Sequence, residues 1–337
     1  MVFVKRCRLE STKQNEITKT PPGSLKSWRR PRGGHLGDNI FSKLALVSAL
    51  LIIALLLGFI IVLNIQAMPA IRKFGIAFIG STSWDPVKDV FGALPAIYGT
   101  LISSLIGLII AVPISLGAAI FLTEMAPSWI KSPASFLIEM LAAIPSVIIG
   151  LWGIFVLVPF VRTHIESWLG KHLGFLPLFQ GPPFGVGFLS AGIVLAIMIT
   201  PIITAVCRDA MKAVPLEQRE AMLALGGTHW ETIRQAVLPF CRSGLIGAII
   251  LGLGRAMGET MAVIMVIGNN YKLTASLFSP GSTIASKIAD EFSNAFGDIF
   301  IGSLVELALV LFAVTLVVNI AARVLVWRMT LVNAGKA

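Results

Sequence analysis

Charge is what this sequence has least of. Of its 337 residues only 13% are Asp, Glu, Lys or Arg, whereas 56% are apolar. A soluble domain carries roughly 25% charged residues. This chain cannot cover a water-facing surface, and lipid is the solvent that suits it. Cysteine and histidine are also scarce. Cys7, Cys207 and Cys241 stand apart with no C-x-x-C spacing, and His35, His164, His172 and His229 form no cluster. The pattern argues against a disulfide framework or a metal site and predicts three free thiols. The spans hold no H-E-x-x-H and no paired Asp motif, which argues against a membrane-embedded enzyme, and no G-x-x-x-x-G-K-[ST] loop is there to hold a nucleotide. No catalytic residue, metal or cofactor is therefore assigned to the chain.

What is present is a set of long uncharged runs. Residues 44–71, 90–123, 140–161 and 173–207 contain no Asp, Glu, Lys or Arg. A helix needs about 20 mostly apolar residues to cross the hydrocarbon core. Two further apolar stretches, 243–268 and 299–327, are interrupted by a few charges. The reading is an all-α integral membrane protein with six spans, at 44–65, 96–122, 136–161, 187–207, 243–268 and 300–326. One membrane domain, 44–330, takes nearly the whole chain, with a short cytoplasmic tail at 331–337.

The net charge of +10 is unevenly placed. Residues 1–43 hold ten Lys and Arg against Glu10, Glu16 and Asp38. With Pro21, Pro22, Gly33 and Gly34, this segment reads as a basic, disordered cytoplasmic arm. It offers no folded platform for nucleic acid. The first apolar run is too long for the 7–15-residue core of a signal peptide, and it starts too far beyond Arg29-Arg30 for a twin-arginine signal. Inside segments hold nineteen Lys and Arg against seven outside if both termini are cytoplasmic, which supports an N-in, C-in topology.

Pro113, Pro145, Pro159 and Pro201 fall within or at the ends of spans and predict kinks. Loop 3 begins with Trp168 and Leu169 between polar residues, the pattern of a short interfacial helix. Loop 5, about 269–298, reads as polar and outside. Glu139, Glu306 and Arg323 sit near span ends, where snorkelling or packing accounts for them.

Loop 4, residues 208–242, is long, cytoplasmic and helix-compatible. Pro215 suits a first helical turn. Gly226-Gly227 ends that helix, and Thr228 with Glu231 predicts a capping box for a second one running to Pro239. Two short helices joined by a glycine hinge make either an amphipathic hairpin resting on the membrane or a surface to be held by a partner. The residues favour the partner. Glu220-Ala221-Met222, three residues, Gly226, nine residues, then Ala236, Val237, Leu238 and Pro239 resembles the EAA loop of ABC-importer permeases. That pattern has Ala where Met222 stands and Ile where Ala236 stands. The resemblance implies that Glu220, Ala221, Gly226, Leu238 and Pro239 dock into a groove on a cytoplasmic ATPase.

The fifth span carries charge. Arg255 lies near its centre, at a cost of roughly 2.5–3.5 kcal/mol on insertion scales. Glu259 follows at i+4, which in a continuous helix puts both on nearly the same face. They are either a buried structural salt bridge or an anion site that Glu259 modulates. Gly254 and Gly258 form a G-x-x-x-G pair, the signal for close helix packing.

Leu251 to Val263, the run Ala142 to Gly153, Ala96 to Leu101 and Arg208 to Pro215 are similar to the corresponding motifs of the larger, PstC-like permeases of Pst-type phosphate importers. The similarity covers about residues 40–330. It implies a type I ABC-importer permease in a bacterial inner membrane. The expected partners are a second, related permease, two copies of a cytoplasmic ATPase that bind ATP and magnesium, an extracytoplasmic phosphate-binding protein, inorganic phosphate and lipid. Passage of phosphate would fall to Arg255 and Glu259. The alternatives are the same machine carrying sulfate or molybdate, and a secondary transporter using Glu259 as a proton site.

Overall fold

The described residues of the computed structural model are 35–334, with side-chain surroundings given for 37–324. Most of the basic tail lies outside them. Along the chain α1 covers His35–Phe74, α2 covers Leu94–Met125 and α3 covers Ser128–Ala142. Next come α4 at Ser146–Leu173 and α5 at Phe188–Lys212, then α6 at Leu216–Ala224. The chain continues with α7 at His229–Gly258, α8 at Met261–Ile267, α9 at Ile284–Glu291 and α10 at Asp298–Ala334. Six of these, α1, α2, α4, α5, α7 and α10, are long and apolar enough to cross a membrane. The fold class is the expected one: all-α, with six candidate spans among the described residues.

Two compact units divide at Phe59 and Ile60. The described part of the first is the start of α1, whose side chains, Ile52 and Leu55 among them, are exposed, as suits a helix facing lipid. Helix begins at His35, inside the segment 1–43 expected to be a disordered arm, and the rest of that segment lies outside the described residues. The second unit holds everything else. Its centre is α5, where Val194, Leu195, Ile199 and Ile203 are buried. This helix packs on α2, α3, α7 and α8.

Close packing rests on small residues, because a missing side chain lets two backbones approach without a hydrophobic drive from water. A Cβ on Gly107 of α2 would lie 3.0 Å from that of Leu195. On α7 the stripe is Gly244, Ala248, Gly252 and Ala256. A Cβ on Gly244 would meet Ala210 at 2.6 Å, and one on Gly252 would meet Ile203 at 2.6 Å. Ser115 of α2 donates to the Thr200 carbonyl of α5 at 3.1 Å, which fixes their register.

Two prolines are accommodated in the same way. A widened π turn, Gly153–Leu157, comes just before Pro159 in α4, and another, Ile233–Val237, comes just before Pro239 in α7. Proline has no N–H and its ring crowds the carbonyl four residues back. A wider turn absorbs both effects and the helix goes on. The second helix of loop 4 therefore does not stop at Pro239 as expected. It is continuous with the fifth span.

The third span also differs from expectation. Helix breaks at Ala143–Pro145, so residues from Ser128 to Ala142 form the separate α3, and the span is Ser146–Leu173. The expected interfacial helix at Trp168 is its last turns. Loop 5 is not a plain polar loop. Thr283 caps α9 through reciprocal bonds with Ser286, and Ser282, Thr283, Ser286 and Lys287 are buried. Ile284 N–H donates to Thr100 Oγ1 of α2 at 2.9 Å. Tyr271 O–H donates to the Gly92 carbonyl at 2.6 Å, and burial pushes its phenol above the usual tyrosine range. Lys287 pairs with Glu291 at 2.6 Å and lies over the rings of Trp84 and Tyr271.

Candidate functional site

The expected fifth span is two helices. α7 ends at Gly258, Glu259 is extended with ψ 126°, and α8 starts at Met261. Glu259 Oε1 accepts from the Ala262 N–H at 3.4 Å, so the carboxylate serves one of the free donors that open a helix. A broken helix at membrane depth is tolerated where its backbone is buried in protein or lines a cavity. Here both conditions hold. Ala262 and Val263 are fully buried, and the break borders a cavity of about 840 Å³.

That cavity lies between α5, α7 and α10. Arg255, Glu259, Gly254 and Gly258 line it from the fifth span, and Asn319 and Arg323 from α10. Ile202 and Ile250 give it an apolar wall. Arg255 stands in the last turn of α7, where the carbonyl end of the helix favours a cation. The ion pairs among the described residues include neither Arg255 nor Glu259. Of the two readings, the structural salt bridge does not form: the Glu259 carboxylate turns to the Ala262 N–H instead. Both charges are left facing the same space.

A second region is the two-helix element after α5. Gly226 takes φ +85° with open space around it, the left-handed turn that a Cβ would strain. The capping box forms as expected. Thr228 N–H donates to Glu231 Oε2 at 2.7 Å, and Glu231 N–H donates to Thr228 Oγ1 at 3.3 Å. Leu225 is 84% exposed and Trp230 58% exposed, leaving a large apolar tip without cover. Between α6 and the start of α7 runs a groove of about 440 Å³ that brings Ala221 and Met222 to Ala236 and Pro239.

The family model for the binding-protein-dependent transport system inner membrane component matches residues 111–331. The chain belongs to this family. Among the permease's relatives, the phosphate transport system permease protein PstC of Haemophilus influenzae is 49% identical over 296 residues, covering 87% of this chain and 94% of that one. The probable phosphate transport system permease protein PstC of Methanocaldococcus jannaschii is 40% identical over 282 residues, 82% of this chain and 88% of that one. A crystal structure of a bacterial ABC transporter involved in the import of the acidic polysaccharide alginate has a chain sharing the fold. The TM-score is 0.51 at 20% identity, over 86% of this chain and 98% of that one. The permease is thus a multi-pass inner-membrane protein and a transport component.

The residues singled out from the sequence fall into two groups in the permease. Arg255 and Glu259 share the cavity. Ala221 and Pro239 share the groove beneath it, with Glu220 and Gly226 exposed beside it and Leu238 half-buried. Gly254 and Gly258 are a correction. A Cβ on either meets nothing within 4 Å, so they are cavity wall and the packing stripe is the one through Gly252. Met222 and Ala236, the two departures from the EAA pattern, face the same groove. A larger residue stands where the pattern has Ala and a smaller one where it has Ile. Paired exchanges of this kind keep the filled volume and are tolerated best.

Two charged residues were passed over in the sequence. Arg323, expected to snorkel or pack at a span end, lines the cavity. Glu306, given the same two alternatives, is packed: only 7% of it is exposed, and its Oε2 has no hydrogen-bond partner among the described residues. Sequence position does not reveal which helices meet, and no residue pattern in α10 marks its inward face.

Proposed function

We propose that the chain is the membrane-spanning permease subunit of an ATP-driven importer of inorganic phosphate, and that the cavity between α5, α7 and α10 is its half of the pathway. The observation that carries this reading is Arg255, a cation with no ion pair among the described residues, at a break in a span and facing a cavity open on one side. The shared name of the relatives supplies the substrate. An oxyanion loses its hydration in a low-dielectric passage, and a fixed guanidinium offsets that cost. A second, related permease would close the open side. A phosphate-binding protein would deliver the anion from outside.

ATP and magnesium would belong to two ATPase copies below the membrane. Their closure would act on Glu220, Ala221, Gly226, Leu238 and Pro239. Because α7 runs unbroken from His229 to Gly258, a push at Pro239 reaches Arg255 through one helix. The motion fits alternating access by rigid-body rocking.

The test is labelled phosphate uptake in cells lacking their own high-affinity importer. The chain is supplied with its ATPase, sister permease and binding protein, then with each omitted in turn. Uptake that needs all four, resists excess sulfate or molybdate, and is lost in Arg255→Ala while the complex still assembles is the expected result. Uptake that persists without the ATPase overturns the reading in favour of a secondary transporter. An assembled, ATP-hydrolysing complex that moves sulfate and not phosphate overturns the choice of substrate.

A further inference from the structure

α10 brings a second guanidinium to the cavity. Asn319 and Arg323 are four residues apart, so they lie on one face of the helix one turn from each other, and both line the space that Arg255 faces. Arg323 is in none of the ion pairs among the described residues. Glu259 is the one acid among the described lining residues, and it is bonded to the first turn of α8.

The order of these charges follows from topology. Successive spans alternate in direction, so α7 and α10 run antiparallel. Ile250 and Arg323 therefore mark the cytoplasmic end of the cavity, and Glu259 and Leu316 its outer end. From Leu316 to Arg323 the helix rises about 10 Å at 1.5 Å per residue. Going inward, an anion meets the Glu259 carboxylate, then Arg255 with Asn319 at nearly the same depth on α10, then Arg323 about 5 Å further in.

We infer that Arg323, with the Asn319 amide one turn outward of it, forms an inner oxyanion subsite, which takes the anion from Arg255 and releases it to the cytoplasm. This rests on the reading of the cavity as the phosphate pathway. A single strong site in a passage traps what it attracts, whereas neighbouring sites of moderate strength let an ion step through. A guanidinium offers two parallel donors to a tetrahedral oxyanion, and a carboxamide adds an N–H donor without further charge. Together they hold the anion at the exit while Arg255 is freed for the next one.

The experiment uses the complete transporter in inside-out membrane vesicles and in cells. In cells, Arg323→Gln is expected to lower phosphate turnover by about tenfold, the equivalent of one charge-assisted contact. KM stays unchanged because capture belongs to the binding protein, and Arg323→Lys recovers a large share of the rate. In vesicles, the thiol of Arg323→Cys is expected to react with a cationic methanethiosulfonate from the cytoplasmic side, above the background of the unsubstituted chain. Inorganic phosphate should slow that reaction. Wild-type uptake with unaltered turnover in Arg323→Gln, or a thiol that phosphate does not shield, overturns the subsite and identifies Arg323 as a snorkelling residue. A wild-type transporter that accumulates no phosphate, with the thiol shielded by sulfate or molybdate instead, overturns the phosphate reading and leaves the subsite standing.

Discussion

Arg219 of α6 grips Glu124 at the end of α2 with two nitrogens, Nε to Oε2 at 3.3 Å and Nη2 to Oε1 at 3.0 Å. The same guanidinium donates to the carbonyls of Met211 and Val214 at 2.9 and 2.6 Å. It thereby closes the C-terminal end of α5 and ties three helices at the base of the bundle. Arg219 stands beside Glu220, so the element that resembles an ATPase-docking loop is fastened to two spans besides the one it leads into. Arg219→Gln is expected to destabilise the assembled permease by about 1.5–3 kcal/mol, as for hydrogen bonds to a charged group. ATP hydrolysis should continue with less transport per ATP. Thermal unfolding in detergent and the transport-to-hydrolysis ratio check both. Glu124→Gln should produce the same change, and the double substitution little more than either alone.

The groove between α6 and α7 makes a second prediction. Met222→Ala leaves a gap opposite Ala236, and Ala236→Ile crowds Met222. Each alone should weaken ATPase binding to detergent-solubilised complex, with a stability loss of about 1–3 kcal/mol. The double substitution, which restores the common pattern, should return both to near wild type. Additive losses in the double variant would show that the two side chains do not share the space.

The glycines of α7 separate into packing and lining positions. Gly252→Leu forces a side chain into Ile203 and is expected to lower stability by about 1–3 kcal/mol. Gly254→Ala meets open space and should leave stability within about 1 kcal/mol of wild type. Gly254→Leu should assemble normally yet reduce phosphate uptake by narrowing the cavity. Expression with the sister permease, followed by thermal unfolding and uptake, separates the three outcomes.

Glu259 has a structural duty that can be told apart from any electrostatic one. Glu259→Gln keeps an oxygen for the Ala262 N–H, so α8 should stay capped and thermal stability should hold. Glu259→Ala loses the cap at a cost of about 0.5–2 kcal/mol. If uptake falls in both variants to the same extent, the carboxylate charge acts on the anion. A fall confined to Glu259→Ala would mean that only the cap matters.

The spans were legible because hydrocarbon admits so few charges. Runs such as 173–207 announce a crossing without any knowledge of neighbours. The capping box at Thr228 and the hinge at Gly226 were legible for a similar reason: backbone donors and a positive φ make local demands that local residues meet. What could not be read was direction around a helix. Gly254 and Gly258 fit a packing motif, but the same spacing serves a cavity wall, and only the position of α5 decides. The break at Glu259 was hidden by an apolar run that continues on both sides. The role of Arg323 depends on α10 lying beside α7, a contact between segments far apart in the chain.

The break also has a mechanical meaning. Below it, α7 is seated on α5 through Gly252; above it, α8 is seated on α4, where a Cβ on Gly153 would meet Val266 at 2.9 Å. The fifth span is therefore an elbow: both arms rest on α5, and the upper one, α8, rests on α4 as well. A displacement arriving from Pro239 turns at the joint instead of driving the whole rod through the bilayer. Arg255 stands on the lower arm and the Glu259 carboxylate is bonded to the upper one at Ala262, so flexing the joint changes the gap between the two charges without moving either end of the span far.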